Sequence, residues 1–567
     1  MTEIFLTYSL ALLLAWPLGR YIAGVFAEGP GPGAKVFMPL ENGLYRLMGV
    51  NGHQSMHWLH YAKSLLLLHL FLGAMIFLLL MFQGVLPLNP DSAPGMSWDL
   101  ALHTTVSFLT NTNQQHYSGQ AQLSFLAHTL GIVTLQFVTP AAGMAALFAI
   151  LRALFAGVKK SDQDESGVGN FYRDLTRGLV RVLLPLALIS ALLLTWQGVP
   201  ATWQGAAQVQ VVDSSVEMQE QQIPLGPVAS MVAIKQLGTN GGGWYGPNSS
   251  VPLENPTPLS NLIQTLSLVL IPIALVFALG LFSGRQRLTW MVLTVMLGLS
   301  VASTSLAVYS ELQPNPAMAS LSDGPNMEGK EVRFGPYATA LWASWTTQTS
   351  NGSVNGMHDS LNPLGGLATL MNMFVNATFG GIGVGMIGFL VFTLLAAFLG
   401  SLMVGRRPTL FGKAVETREI KILALILLLQ PIVILGLTAL TFALPGVSGI
   451  TNPGFHGVSQ VLYEYTSAFA NNGSGFEGLD DDSVWWNVTC VIALAFGRFL
   501  PMLLPLALAS SLMQKKSLAA SDSNLNVETP IFIVFLMAVM LMFALLSFLP
   551  VLVLGPIAEH LTLMQIG

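Results

Sequence analysis

Ten apolar runs, each near the roughly 20 residues needed to cross a bilayer core, stand out along the chain at 4–26, 64–86, 123–151, 178–197, 258–282, 288–309, 365–404, 420–444, 484–513 and 528–555. Four shorter apolar stretches, 97–110, 227–237, 337–347 and 458–470, lie between pairs of these runs and are too short to span. Each of the four gives way to a small oxygen-bearing triplet: Thr112-Asn113-Gln114, Thr239-Asn240-Gly241, Ser350-Asn351-Gly352 and Asn471-Asn472-Gly473. The pattern predicts a spanning helix, a re-entrant helix, a turn and a second spanning helix, repeated four times, with one extra span at each end. The expected fold is therefore an all-α polytopic membrane protein with ten transmembrane helices and four repeats around one pseudo-fourfold pore. Its segments are an N-terminal helix with a cytoplasmic linker (1–63), pore repeats at 64–157, 158–284, 285–407 and 408–516, and a C-terminal helix (517–567). The linker carries Gly29-Pro30-Gly31-Pro32-Gly33, which excludes regular helix there.

Non-helical backbone at membrane depth persists only where protein buries it or water lines it. A ring of four turns meets that demand by turning its carbonyls toward a dehydrated ion. One Thr-Asn or Ser-Asn pair alone reads as a helix cap or an ordinary turn; four in equivalent places point to a filter. The candidate ion-binding residues are Asn111, Thr112 and Asn113; Gly238, Thr239, Asn240 and Gly241; Thr349, Ser350, Asn351 and Gly352; and Ala470, Asn471, Asn472 and Gly473. No carboxylate lies in any triplet, whereas selective calcium or magnesium sites recruit carboxylates. A monovalent cation is expected, and potassium, which dehydrates more readily, is favoured over sodium.

Composition agrees: 53% of residues are hydrophobic and only 9% charged, against about 25% charged in soluble proteins. The single cysteine, Cys490, excludes an intrachain disulfide and a thiolate metal cage. Thr2-Glu3 stands where a signal peptide would be basic, so the first run is expected to stay as a helix. Nineteen of the 23 lysines and arginines fall in loops that share one face when both termini are extracytoplasmic, in keeping with the positive-inside rule. The opposite loops carry Asp91, Asp99, Asp213, Glu217, Glu220, Glu254, Glu311, Asp323, Glu328, Asp359 and Asp480-Asp481-Asp482. They read either as an acidic mouth that gathers cations or as ordinary solvated loops.

Other residues qualify the picture. The run 365–404 is double the needed length and is interrupted by Gly380-Gly381-Ile382-Gly383-Val384-Gly385. Gly380, Gly381, Gly383 and Gly385 suggest a loop under the third turn that gates the cytoplasmic exit; close helix packing through small residues is the alternative. Arg498 sits deep in a span, where insertion costs at least ~2.5–3.5 kcal/mol. It should face filter-side water, backbone carbonyls or a partner, stopping ion leak, unless it snorkels. Lys235, one turn before the second triplet, is expected behind the re-entrant helix in a structural role. Arg406, Arg407 and Lys413 fit the positive-inside rule, with gate or partner contact as the sharper alternative. His103, His116, His128 and His456 lack metal-ligand spacing and read as packing or interface residues.

Five stretches carry a family resemblance: SWDLALHTTVSFLTNTNQQHYSG, GPVASMVAIKQLGTNGGGWYGPNSSVPLENPT, NMEGKEVRFG, NPGFHGVSQVLYEYTSAFANNGSGF and MVGRRPTLFGK. They resemble the potassium-translocating A subunits of the bacterial Kdp ATPases, within the superfamily of potassium transporters, and the likeness covers nearly the whole chain. The resemblance implies a multi-pass inner-membrane protein that binds potassium and passes it through an internal tunnel to a P-type ATPase, the B subunit of such complexes. It also implies a C subunit near the outer face and a small single-helix F subunit, with membrane lipid around the complex and no nucleic-acid partner. The chain departs from the family pattern at Gln114, where tryptophan is usual, and at Asn351, where cysteine is usual; both changes place amides beside the turns. There is no DKTGT motif and no G-x-x-x-x-G-K-[ST] loop, so ATP is used only through the partner. An autonomous channel or secondary transporter of the Trk or Ktr kind, and a non-conducting scaffold, are the alternatives.

Overall fold

A computed structural model describes residues 2–52, 54–155, 167–212, 219–318, 323–516 and 526–566. Ten helices among these are long and apolar enough to cross a membrane: Thr2–Phe26, Trp58–Val85, Ala127–Phe155, Phe171–Trp196, Pro258–Ser283, Gln286–Met318, Val384–Met403, Thr417–Ala443, Val484–Met513 and Pro530–Gln565. The four short helices are present as Trp98–Leu109, Val228–Leu237, Gly335–Gln348 and Phe455–Ala470. Each packs between the helices that precede and follow it in its own repeat, which in the third repeat means Gln286–Glu311 and Pro363–Val375.

Local chemistry explains several boundaries. Thr257 and Ser260 form a reciprocal capping box, and Pro258 takes the first helical position, where its missing N–H is harmless. Glu416 and Glu419 cap Thr417–Ala443 in the same way. The first span lies along Pro258–Ser283, with Gly19 so close to the Ala274 carbonyl that no Cβ fits; small residues permit such backbone approach in membranes.

The run 365–404 is two helices, Pro363–Val375 and Val384–Met403. The break differs from the expected 380–385: it opens at Asn376, left-handed at φ 42°, and Gly385 already belongs to the second helix. Asparagine reaches that conformation cheaply, so the interruption starts before the glycines that advertise it. The last span runs on past 555 through a turn at Val553–Ile557 into Ala558–Ile566. The segment between Phe171–Trp196 and Val228–Leu237 carries antiparallel strands, Ala207–Gln210 with Glu220–Ile223, Ala207 facing Ile223. Its strands are polar and largely exposed, so no apolar alternation announces them.

Candidate functional site

The four turns meet in a closed ring, built from repeated backbone geometry. Asn111, Thr239, Ser350 and Asn471 each follow a short helix with positive φ, at 61°, 47°, 49° and 53°. The next residue, Thr112, Asn240, Asn351 or Asn472, donates its N–H to a carbonyl five residues back, on Ser107, Lys235, Thr346 and Ser467, at 2.9 to 3.0 Å. The third position is again left-handed, in Asn113, Gly241, Gly352 and Gly473. The first turn is therefore Asn111-Thr112-Asn113, one residue earlier than the triplet Thr112-Asn113-Gln114. Asn113 occupies the place of glycine, and Gln114 lies beyond the turn with its carbonyl accepting from Ser107 Oγ at 2.8 Å.

Neighbouring turns touch in chain order. A Cβ on Gly241 would strike the Asn351 carbonyl, one on Gly352 the Asn472 carbonyl, and one on Gly473 the Thr112 carbonyl. The remaining joint is made by side chains: Asn113 donates to the Gly241 carbonyl at 2.8 Å and Asn111 to the Thr239 carbonyl at 2.9 Å. Behind the ring, the Asn351 amide donates to Lys235 O at 2.9 Å and the Asn472 amide to Thr346 O at 2.8 Å, equivalent bonds in adjacent repeats. The oxygens of these amides accept from Ser353 N and Ser474 N. Asn351 is thus bound into the scaffold, and Gln114 into contacts with Glu464 and His103.

The ring is buried: Thr112, Thr239, Asn240, Thr349, Asn351 and Asn472 show no exposed surface. On one side of it lies a cavity of about 80 Å³, lined by Asn113, Gln114, Gly352, Glu464, Gly473 and Asp481, among others. On the other side the broken helix crosses under it. Asn376 accepts from Ser350 Oγ at 2.7 Å and donates to Ala470 O at 3.2 Å; Gly380 N donates to Gln348 O at 3.0 Å and Ile382 N to Thr239 Oγ1 at 3.1 Å. Three of the four turns or their pore helices touch this loop. Gly381 lies beneath Thr349 and Ser350, and Gly383 abuts the Gly143 backbone.

Arg498 reaches the first repeat from the fourth. Its side chain is buried and donates to the Thr139 carbonyl at 2.9 Å. Thr139 Oγ1 in turn donates to Asn111 Oδ1 at 2.8 Å. The expected backbone-carbonyl contact is present, and the buried side chain does not reach the protein surface as snorkelling would require. Arg406 lies on an exposed turn after Val384–Met403 and contributes nothing to the loop.

Three carboxylates expected at an acidic mouth are buried instead. Glu254 pairs with Lys235 behind the second turn, Glu311 pairs with Lys330 at 2.8 Å, and Asp99 accepts from Asn487 at 2.8 Å. Their charges are spent on structure rather than on the entrance. Asp213 and Glu217 fall outside the described residues. His456 bridges Asp359 at 2.9 Å and Glu559 at 2.8 Å. Burial alone would lower its pKa, but the two carboxylates outweigh it and hold the imidazole up at about 10. His116, Glu464 and Cys490, distant in sequence, converge in one buried group, which spacing along the chain conceals.

Residues 5–561 match the family described as potassium-transporting ATPase A subunit. The chain is 45% identical, over 98% of its own length and 99% of the relative's, to the potassium-transporting ATPase potassium-binding subunit of Pseudomonas putida. It is 44% identical to the protein of that name from Bacteroides fragilis, over 98% of both chains. Among solved structures, the potassium transporter TrkH from Vibrio parahaemolyticus aligns over 89% of this chain and 98% of its own, with a TM-score of 0.49 and 15% identity.

Proposed function

Because the chain belongs to the potassium-transporting ATPase A-subunit family, we propose that its ring of turns is a potassium filter open to the extracytoplasmic side of the bacterial inner membrane. The chain is the non-hydrolytic transport subunit, and a separate P-type ATPase chain, the B subunit, supplies the energy, with C and F subunits completing the complex. The observation that carries the filter reading is the closure of four backbone turns, in chain order, into one buried, carboxylate-free ring. Main-chain oxygen at fixed spacing replaces the hydration shell of a monovalent ion, while divalent ions, which recruit carboxylates, are poorly served.

The loop Asn376–Gly383 and Arg498 give the second half of the reading. Backbone hydrogen-bonded across the underside of the ring blocks a straight path, and a buried guanidinium beside it repels cations. An ion leaving the filter is thereby diverted sideways toward the ATPase partner, and the pump does not short-circuit. The test is the reconstituted complex in liposomes. Potassium is expected to stimulate ATP hydrolysis and sodium is not, and shortening Gly380–Gly385 is expected to leave hydrolysis running while net uptake per ATP collapses. Normal coupling after that deletion removes the gate, and equal stimulation by sodium removes the filter. Potassium flux through the chain alone, without its ATPase partner, would favour an autonomous channel.

A further inference from the structure

Beside the outer cavity, three residues from separate elements place different donor atoms together: His116 from the segment after the first turn, Glu464 from the fourth pore helix and Cys490 from the following span. Their ligand atoms lie within 4.8 Å of one another, and all three side chains are buried. The tautomer of His116 follows from its surroundings. Asn487 gives its Nδ2 hydrogen to Asp99 Oδ2 at 2.8 Å, so its Oδ1 is what faces His116 Nδ1, also at 2.8 Å. Nδ1 must carry the hydrogen of that bond, which leaves the Nε2 lone pair facing Glu464 Oε1 at 3.2 Å.

Two acceptors so close need an electropositive body between them, either a proton or a metal ion. Tetrahedral zinc, with bonds of about 2.0–2.1 Å to nitrogen and oxygen, sets such donors about 3.3 Å apart. Glu464 Oε2 is buried without a hydrogen-bond partner, and Asp481 Oδ2, 3.9 Å from Nε2, adds a further carboxylate beside the three-atom group. The His116 imidazole is held from both sides, by the Nδ1 bond to Asn487 and by face-to-face stacking on His103 at 3.7 Å between ring centroids. Such outer contacts orient metal-ligating histidines. Glu464 and Asp481 also line the cavity above the ring, which gives an ion a route from outside.

We propose that His116, Glu464 and Cys490 form a binding site for a borderline-soft divalent ion such as zinc, in the wall of the cavity above the four turns, with Asp481 beside it. Binding displaces the proton held between His116 and Glu464 and the thiol proton of Cys490, both to solvent. The bound dication adds positive charge at the cavity that feeds the ring. This goes beyond the filter reading, and metal binding itself does not depend on it.

The experiment uses the intact purified complex, stripped with a chelator and then dialysed against zinc alone or cobalt alone. One zinc is expected per chain, together with a near-ultraviolet thiolate-to-cobalt absorption band. Cys490→Ser should abolish the band and weaken zinc binding at least about 10-fold, and His116→Asn should weaken it comparably. In magnesium-containing buffer free of zinc and cobalt, potassium-stimulated ATP hydrolysis certifies folding of each variant; its absence in the unmodified complex would count against the filter reading and not against this site. Zinc should inhibit that hydrolysis reversibly in the unmodified complex, and far less in Cys490→Ser. No thiolate band, or equal zinc affinity in folded Cys490→Ser, overturns the proposal.

Discussion

Gly473→Ala tests the ring at a joint where the structure leaves no slack. Gly473 sits at φ 100°, and an added Cβ would run into the Thr112 carbonyl, which is backbone of the neighbouring turn. Left-handed strain for a residue with a Cβ is about 1–2 kcal/mol, but that part is general and says nothing about the ring. Gly405→Ala separates the two effects: Gly405 is also left-handed, at φ 64°, on an exposed turn with no atom within 4 Å of the new Cβ. Both variants should lose similar stability from strain; only Gly473→Ala must also push the first and fourth turns apart. A change of about 1.4 kcal/mol in the difference between potassium and sodium binding is tenfold in selectivity. Displacing two of four turns should reach at least that, and Gly352→Ala should match it, because its Cβ strikes the equivalent Asn472 carbonyl. The assay is ATP hydrolysis by the purified complex titrated with potassium and then with sodium, alongside thermal unfolding. The reasoning fails if folded Gly473→Ala keeps the potassium dependence and sodium rejection of Gly405→Ala.

Three further outcomes follow from buried charge. Lys235→Met leaves Glu254 ionised and unpaired in the interior, at a cost of about 3–5 kcal/mol; thermal unfolding should fall sharply, and Lys235→Met with Glu254→Gln should regain most of it. Arg498→Met removes the cation under the ring, so potassium should leak from loaded liposomes without ATP, and leak at the level of the unmodified complex would refute the role given to Arg498. His456, held at about 10 between Asp359 and Glu559, gains its stabilisation as a cation. That contribution is complete below the ordinary histidine pKa of about 6.5 and is lost as pH rises through 10. Melting temperature should therefore decline between pH 7 and 10, and His456→Gln should flatten that part of the profile.

The spans and the four short helices were legible because apolar length and turn chemistry are local properties. Hydrophobic runs revealed Trp58–Val85 as readily as Val484–Met513. The register of the first turn was not legible: matching Thr-Asn pairs by letter aligned Thr112 with Thr239, whereas backbone geometry aligns Asn111 with Thr239. The deciding fact is that Asn113 adopts the conformation glycine holds elsewhere, which asparagine does at small cost. Charges misled for a related reason. Glu254 sits in a loop and Glu311 ends the helix Gln286–Glu311, and a carboxylate at such a place reads as solvated until the fold brings Lys235 or Lys330 to it. The histidine of the group near the cavity lies more than 300 residues before the carboxylate and the thiol, so no spacing along the chain announces the three together.

Encoding four turns in one polypeptide has a consequence that four identical chains could not have. Symmetric subunits must use the same contact at every joint, but here three joints set glycine against backbone, while the fourth uses the amides of Asn111 and Asn113. The underside is equally uneven: the loop from Asn376 grips the second, third and fourth repeats, and Arg498 reaches the first through Thr139. If the ring is the proposed filter, a dehydrated ion meets a nearly fourfold set of oxygens on one side and an uneven floor on the other. On the proposed reading, such a floor would give an ion leaving the ring a preferred direction, as delivery to a single partner chain requires and a symmetric pore cannot supply.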